Sequence, residues 1–143
     1  MNSYLITAGA LSALASLLHI GFIVFGASWY RFFGAGEHMA KLAEQGSLQP
    51  TLITSGIVLV LATWSLYAFS AAGLIIKLPL MRLALITITA IYLLRGIAGI
   101  FLAASSKATH FGNSTNFWFW SSAICLTFGV VHLIGVKQQW ASL

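Results

Sequence analysis

Arg95 is the residue of this sequence whose type and position most clearly predict chemistry. It lies in the run 91–96, inside a long apolar stretch. About ten residues separate it from the end of that stretch, which at ~1.5 Å per helical residue is ~15 Å, close to the centre of a bilayer. A charge there costs at least about 2.5–3.5 kcal/mol. Arg95 is therefore either a structural residue bonded to carbonyls and hydroxyls, or a site for an anion, a ligand or a proton.

Polar and aromatic side chains on the other apolar stretches fall at a similar depth. The same count of residues places His19, Thr63, Ser122 and Thr127 near the level of Arg95. A polar layer of His19, Thr63, Arg95 and Thr127 is geometrically possible, although hydroxyls also have an ordinary role in helix packing within lipid. We predict a ligand pocket formed by these residues: Arg95, His19, Tyr92, Trp64, Tyr67 and Glu37.

The first loop holds the only two acids of the chain, Glu37 and Glu44. The run Trp29–Glu37 combines aromatic side chains, which favour the membrane–water interface, with glycines that allow a sharp turn. One interpretation is a loop anchored at the interface. The other is a lid over a cavity in the bundle, with Glu37 at its tip and within reach of Arg95 or Arg31.

The sequence predicts no catalytic residue, no metal site and no bound cofactor. It contains no Gly-x-Ser-x-Gly, no phosphate-binding glycine loop and no His-Glu-x-x-His motif. His19 and His132 differ by ~10 Å in depth, which is too much for the two ligands of one haem iron. Glu37, His38 and His110 lie in loops on the same side, but their spacing is not typical of a metal site.

The composition indicates that lipid is the solvent for most of this chain. Hydrophobic residues make up 59% of the 143 residues and charged residues only 6%, against about 25% charged in soluble proteins. Four apolar stretches are each about 20 residues or longer, enough to cross ~30 Å of hydrocarbon as helices. We predict an all-α fold: an integral membrane, antiparallel four-helix bundle. It forms a single transmembrane domain over residues 1–143, with helices at about 4–25, 51–76, 80–104 and 117–136.

The first loop is predicted to contain a short interfacial helix over Glu37–Glu44, with apolar and charged side chains on opposite faces. Gly46 is predicted to end that helix, and Pro50 to begin the second span. Asn116 is a plausible N-cap for the last helix. Small residues would let the helices of the bundle approach closely at these positions: Ala8, Ser12, Ser16, Gly96 and Gly99.

The seven Lys and Arg residues are spread along the chain, which argues against a nucleic-acid partner. Four spans place both termini on one side of the membrane. Three cations share that side (Lys77, Arg82 and Lys137) and three lie on the other (Arg31, Lys41 and Lys107). The free N-terminal amine and the compact basic loop after the second span favour cytoplasmic termini.

Three runs resemble small uncharacterised bacterial inner-membrane proteins with four helices. They are Trp29–Glu37, Gly46-Ser47 with Pro50 at the entry to the second span, and Tyr92-Leu93-Leu94-Arg95-Gly96. The resemblance extends over most of the chain. It implies a bacterial inner membrane as the location, and it implies no catalytic activity.

The leading functional hypothesis is a protein that binds, and in one version transports, a small anionic or lipid-like molecule at Arg95. Four helices make a narrow bundle, and a homodimer could supply a larger path for transport. The first alternative is an accessory or assembly subunit of a larger membrane complex. The weaker alternative is a membrane-embedded enzyme that uses Glu37 or His19 as its acid or base.

Overall fold

The computed structural model describes residues 1–34, 36–105 and 115–143. Within these ranges all regular secondary structure is helical, which confirms the all-α prediction. The helices are α1 (Ser3–Phe25), α2 (Ala27–Phe32), α3 (Glu37–Glu44), α4 (Gln49–Ala71), α5 (Met81–Ala104) and α6 (Thr115–Gln139), followed by a 3-10 turn over Trp140–Ser142. Four of them, α1, α4, α5 and α6, are long and apolar enough to cross a membrane.

Helix α4 ends at Ala71, before the predicted boundary at residue 76. The apolar run continues, but Gly73 adopts a left-handed φ of 85° that stops the helix. The hydroxyl of Ser70 then secures the turn that follows. It donates to the carbonyl of Ile76 at 2.7 Å and accepts from the backbone N–H of Leu78 at 3.0 Å.

The other predicted helix ends were mostly confirmed. Pro50 lies in the first turn of α4, and Gly46 follows α3 with a φ of 76°. The prediction for Asn116 was wrong: α6 already begins at Thr115, so Asn116 is inside the helix and is not its N-cap. The rest of the predicted loop between α5 and α6, including Lys107 and His110, lies outside the described residues.

Hydroxyl groups and small residues join α1 to α4. Ser65 donates to the carbonyl of Gly9 at 2.7 Å, and Ser16 donates to the carbonyl of Val58 at 3.0 Å. Such contacts need closely approaching backbones, which small side chains permit. The predicted contact positions are all buried: Ala8, Ser12, Ser16, Gly96 and Gly99.

Glycines determine how α5 meets α6. A Cβ at Gly129 would lie 2.7 Å from Cδ2 of Leu93, so the leucine occupies the space that a side chain would need. Gly96 receives Leu126 in the same way. These two pairs identify which residues of α5 and α6 lie at the same level.

Large apolar side chains cover the outside of the four long helices. Examples are Leu17, Leu59, Leu94 and Phe119, which are all more than half exposed. Several polar side chains, by contrast, are buried inside. Water-soluble monomers rarely expose so much continuous apolar surface.

Helices α2 and α3 cover one end of the bundle. Tyr30 anchors this cover through a hydrogen bond of 2.7 Å between its hydroxyl and that of Thr54. Its ring lies 5.2 Å from that of Phe22, and Ala40 of α3 is fully buried against the same cluster. Helix α3 has the predicted bounds, with its acidic residues Glu37 and Glu44 exposed.

Candidate functional site

The guanidinium of Arg95 is held between α5 and the first turns of α6. Its Nη1 donates to Oγ of Ser122 at 3.1 Å, and its Nη2 donates to Oγ of Ser121 at 3.2 Å. Its Cζ lies 4.8 Å from the centroid of the Trp118 ring, within the range of a cation–π interaction. A half-buried cation is thus surrounded by two neutral hydroxyls and an aromatic face.

The position of these partners shows where the guanidinium lies along α6. Trp118, Ser121 and Ser122 belong to the first two turns of α6, so the guanidinium lies within about 10 Å of that helix end. The long side chain of Arg95 carries the charge from the middle of α5 towards the end of the bundle, as arginines in apolar surroundings commonly do.

Gly99 makes room for the guanidinium on α5. A Cβ at this position would collide with Oγ of Ser122 and with Nη1 of Arg95. The glycine was predicted as a helix-packing position. Its lack of a side chain also leaves the space that the Arg95–Ser122 hydrogen bond occupies. The arrangement is therefore tight on the side of the bundle interior.

Both acids of the chain bind a different arginine. Arg31 of α2 donates through Nε and Nη2 to the carboxylate of Glu37, with Nη2 to Oε1 at 2.8 Å, and it forms a second ion pair with Glu44. Because the sequence contains only these two acidic side chains, the structure directs its carboxylates to Arg31 and not to Arg95.

This cluster of Arg31, Glu37 and Glu44 lies in water-accessible surroundings, with side chains that are 40–54% exposed. The hydrogen bonds from Arg31 hold the pKa of Glu37 and the pKa of Glu44 below their usual range. The same bonds raise the pKa of Arg31. The ion pairs favour the charged form of each of the three groups.

Of the two partners considered for Glu37, the structure selects Arg31. No described contact joins Glu37 to Arg95. The aromatic run before it forms the anchored interface between α1, α2 and α3. There the rings of Phe22 and Trp29 lie 5.8 Å apart.

Two of the predicted ligand residues do meet in the bundle core. The rings of Trp64 and Tyr92 are in a T-shaped contact at 4.9 Å. The hydroxyl of Tyr92 forms a hydrogen bond of 2.8 Å with that of Ser12, and its ring lies 5.2 Å from that of His132. This core cluster joins α1, α4, α5 and α6 and belongs to their packing.

The remaining predicted residues point to other partners. The Nδ1 of His19 bonds the carbonyl of Ala15 on its own helix at 2.7 Å. The hydroxyl of Tyr67 donates to the carbonyl of Pro79 at 3.2 Å, beside the turn between α4 and α5. No described contact joins either residue to Arg95.

The polar layer that the depth count allowed does not form. Thr63 and Thr127 are exposed, and each donates to the carbonyl four residues earlier on its own helix. Only Ser122 of the residues at that depth contacts Arg95. Depth along a helix was predictable, whereas the face on which a residue lies depends on how the helices are rotated.

A shallow cavity of about 710 Å³ lies at a different place, beside the turn between α4 and α5. Lys77, Arg82 and Leu143 contribute to its lining, and none of the predicted ligand residues does. In the described ranges no three His, Cys or acidic side chains come together as metal ligands. His110 of the Glu37–His38–His110 set is not among the described residues.

Ser121 and Trp118 were the functional candidates that the sequence reasoning missed. A signal for them existed: both follow within the first two turns of a helix that had to lie beside α5, and Ser121 precedes Ser122, which the depth count had placed level with Arg95. Comparison of the sequence and the structure with protein-family models, curated proteins and solved structures finds no match.

Proposed function

We propose that this protein crosses a membrane with four helices and binds a small anionic or lipid-like molecule at Arg95, between α5 and α6. One observation carries the proposal: the arginine within the apolar helices bonds neutral hydroxyls, while both acids of the chain bond Arg31. A carboxylate or phosphate group of a ligand would supply the missing negative charge.

The energetics favour an external anion. A guanidinium is not deprotonated in proteins, so the cost of placing its charge among apolar helices cannot be removed by loss of a proton. Hydrogen bonds to hydroxyls satisfy its donors without compensating its charge. In surroundings of low dielectric constant, an unbalanced charge attracts an anion far more strongly than it would in water.

The geometry leaves donors for such an anion. Within the described residues, the hydrogen bonds of Arg95 use Nη1 and Nη2 once each, and a guanidinium has five N–H donors in a planar fork. The hydroxyls of Ser121 and Ser122 accept from Arg95 and can donate onward. A phosphate or carboxylate beside them would receive charge-assisted hydrogen bonds from both types of group.

The location of the guanidinium narrows the class of ligand. It lies within about 10 Å of the beginning of α6, where a bilayer passes from hydrocarbon to headgroups. Trp118, over which Arg95 is stacked, is a residue type typical of that zone. An anionic amphiphile, with its charged group at Arg95 and its apolar part along α5 and α6, fits this position better than a fully water-soluble anion.

The membrane arrangement is part of the same proposal. Pairs such as Leu93 with Gly129 and Gly96 with Leu126 support an antiparallel course of α5 and α6. The apolar outer faces of the four long helices support contact with lipid. We assign both termini to the cytoplasmic side of a bacterial inner membrane, the location implied by the resemblance described above.

Native mass spectrometry of the protein in mild detergent tests the binding site. We would add phosphatidylglycerol as the anionic probe and phosphatidylcholine as the zwitterionic one. The wild-type protein should retain phosphatidylglycerol preferentially, Arg95→Gln should lose that preference, and Arg95→Lys should retain part of it because the charge remains while the fork is lost.

Arg82→Gln is the matched control. Arg82 also lies over a tryptophan, 5.1 Å from the ring centroid of Trp140, and donates to a backbone carbonyl. Its replacement should leave lipid retention unchanged. Equal retention by Arg95→Gln and wild type would contradict the proposal. Co-purification with an unrelated protein, without a bound lipid, would favour the accessory-subunit alternative.

A further inference from the structure

A histidine in the bundle core has one ring nitrogen without a partner. His132 is fully buried, and its Nδ1 lies 2.8 Å from the carbonyl of Phe128. Because a carbonyl only accepts, Nδ1 carries the proton of the neutral ring, and Nε2 is left as a lone-pair acceptor. This Nε2 has no hydrogen-bond donor among the described residues.

A buried threonine also has a side-chain polar atom without a hydrogen-bond partner. Thr89 is 6% exposed, and its hydroxyl has no partner in the described part of the chain. Other helical threonines bond the carbonyl four residues earlier, as Thr63, Thr87 and Thr127 do at 2.8–2.9 Å. Those three are exposed. Thr89 is buried and its hydroxyl forms no such bond.

The helix register brings the two orphaned atoms to one level. Leu93 lies against Gly129, so one further turn along each helix brings Thr89 level with His132. Tyr92, which follows Thr89 by three residues on the same face of α5, contacts the His132 ring at 5.2 Å. Thr89 and His132 therefore lie at the same level of the contact between α5 and α6.

We propose that one water molecule lies between these two side chains, where it donates to Nε2 of His132 and accepts from or donates to the hydroxyl of Thr89. Buried waters characteristically occupy positions where two or more buried polar groups have no other partner. The Tyr92 hydroxyl already bonds Ser12, so Nε2 and Oγ1 provide the contacts.

The site extends the polar interior of the bundle and does not depend on the ligand proposed for Arg95. Its consequence is a fixed tautomer. With Nδ1–H bonded to Phe128 and Nε2 bonded to a water, the ring of His132 has one orientation against Tyr92.

Nuclear magnetic resonance of the full chain with 15N-labelled histidine tests this site, with His132→Gln used to assign the resonances. We expect the Nε2 signal of an acceptor nitrogen and cross-relaxation from water to the His132 ring, measured in the rotating frame so that it is distinguished from exchange. Thr89→Val should abolish the cross-relaxation. Thr87→Val, which removes an exposed hydroxyl from the same helix, should preserve it.

Three results would overturn the proposal. They are a direct Thr89–His132 hydrogen bond without water contact, an Nε2 that accepts from no donor, and a water contact that survives Thr89→Val. If Thr89→Val does not fold, Thr89→Ser keeps the hydroxyl and should retain the water signal, and its loss in that variant would equally contradict the site.

Discussion

Arg31 and Arg95 have the same side chain and opposite surroundings. Arg31 lies in the exposed cover formed by α2 and α3, where water already solvates it, and it bonds both carboxylates of the chain. Arg95 lies between apolar helices, where desolvation costs most, and it bonds two serine hydroxyls and an aromatic ring. Negative charge has been placed where it contributes least to stability. We infer that the charge at Arg95 is kept available for an anion from outside the chain.

The largest loss of stability is expected from a bulkier residue beside the guanidinium of Arg95. Gly99→Ala should destabilise the protein by about 1–3 kcal/mol, because the new methyl group displaces Ser122 and the guanidinium. Unfolding in detergent by denaturant would measure the loss. Gly56→Ala is the control: a Cβ there meets nothing within 4 Å, so stability should be unchanged or slightly raised. Equal effects of the two substitutions would show that Gly99 is not a packing constraint.

An intermediate loss of stability is expected where the cover formed by α2 and α3 contacts α4. Tyr30→Phe removes the buried hydrogen bonds of its hydroxyl to Thr54 and to the carbonyl of Pro50. Each should cost about 0.6 kcal/mol, the average measured for such bonds in membrane helices. Thermal unfolding would detect it as a lower Tm. Tyr67→Phe removes an exposed bond to the carbonyl of Pro79 and should change Tm less. The reverse order would mean that Tyr30 does not anchor the cover.

The smallest effect is expected from the ion pairs of Arg31 themselves. Because Arg31 lowers the pKa of Glu37 and of Glu44 in the folded protein, their stabilisation is fully present above the unfolded pKa of about 4.3. It is lost as the pH falls through the lowered values. The Tm of wild type should therefore fall more between pH 6 and pH 3 than that of the Glu37→Gln, Glu44→Gln double variant.

Salt provides the complementary measurement for this cluster. The side chains are exposed, so added salt should screen their attraction and bring the two Tm values at pH 6 together. A double variant with the same pH dependence as wild type would show that other groups cause the acid sensitivity.

Most of the fold was predictable from the lengths of the apolar stretches and from a few residues typical of helix ends. The four long apolar helices, the short helix Glu37–Glu44 and the buried small positions were predictable, because apolar length, amphipathicity and small-residue spacing are visible in the sequence. The end of α4 was not, because the left-handed turn at Gly73 lies within an unbroken apolar run.

The site was predictable only in part. Arg95 stood out in the sequence as a charge in an apolar helix, and counting residues along the helices placed Ser122 near its level. Which faces meet depends on helix rotation, and that is set by the glycine contacts between α5 and α6. The sequence analysis named Arg31 as one of two possible partners for Glu37, and it did not predict the second ion pair, between Arg31 and Glu44.

A carboxylate placed beside Arg95 tests the central claim most directly. Ser121 already accepts from the guanidinium at 3.2 Å, so Ser121→Asp would neutralise Arg95 from within the chain, while Ser121→Asn keeps nearly the same shape without the charge. We predict that the aspartate variant loses its preference for phosphatidylglycerol over phosphatidylcholine in native mass spectrometry and gains thermal stability, and that the asparagine variant retains the preference. Retention of phosphatidylglycerol by the aspartate variant at the wild-type level would contradict the account.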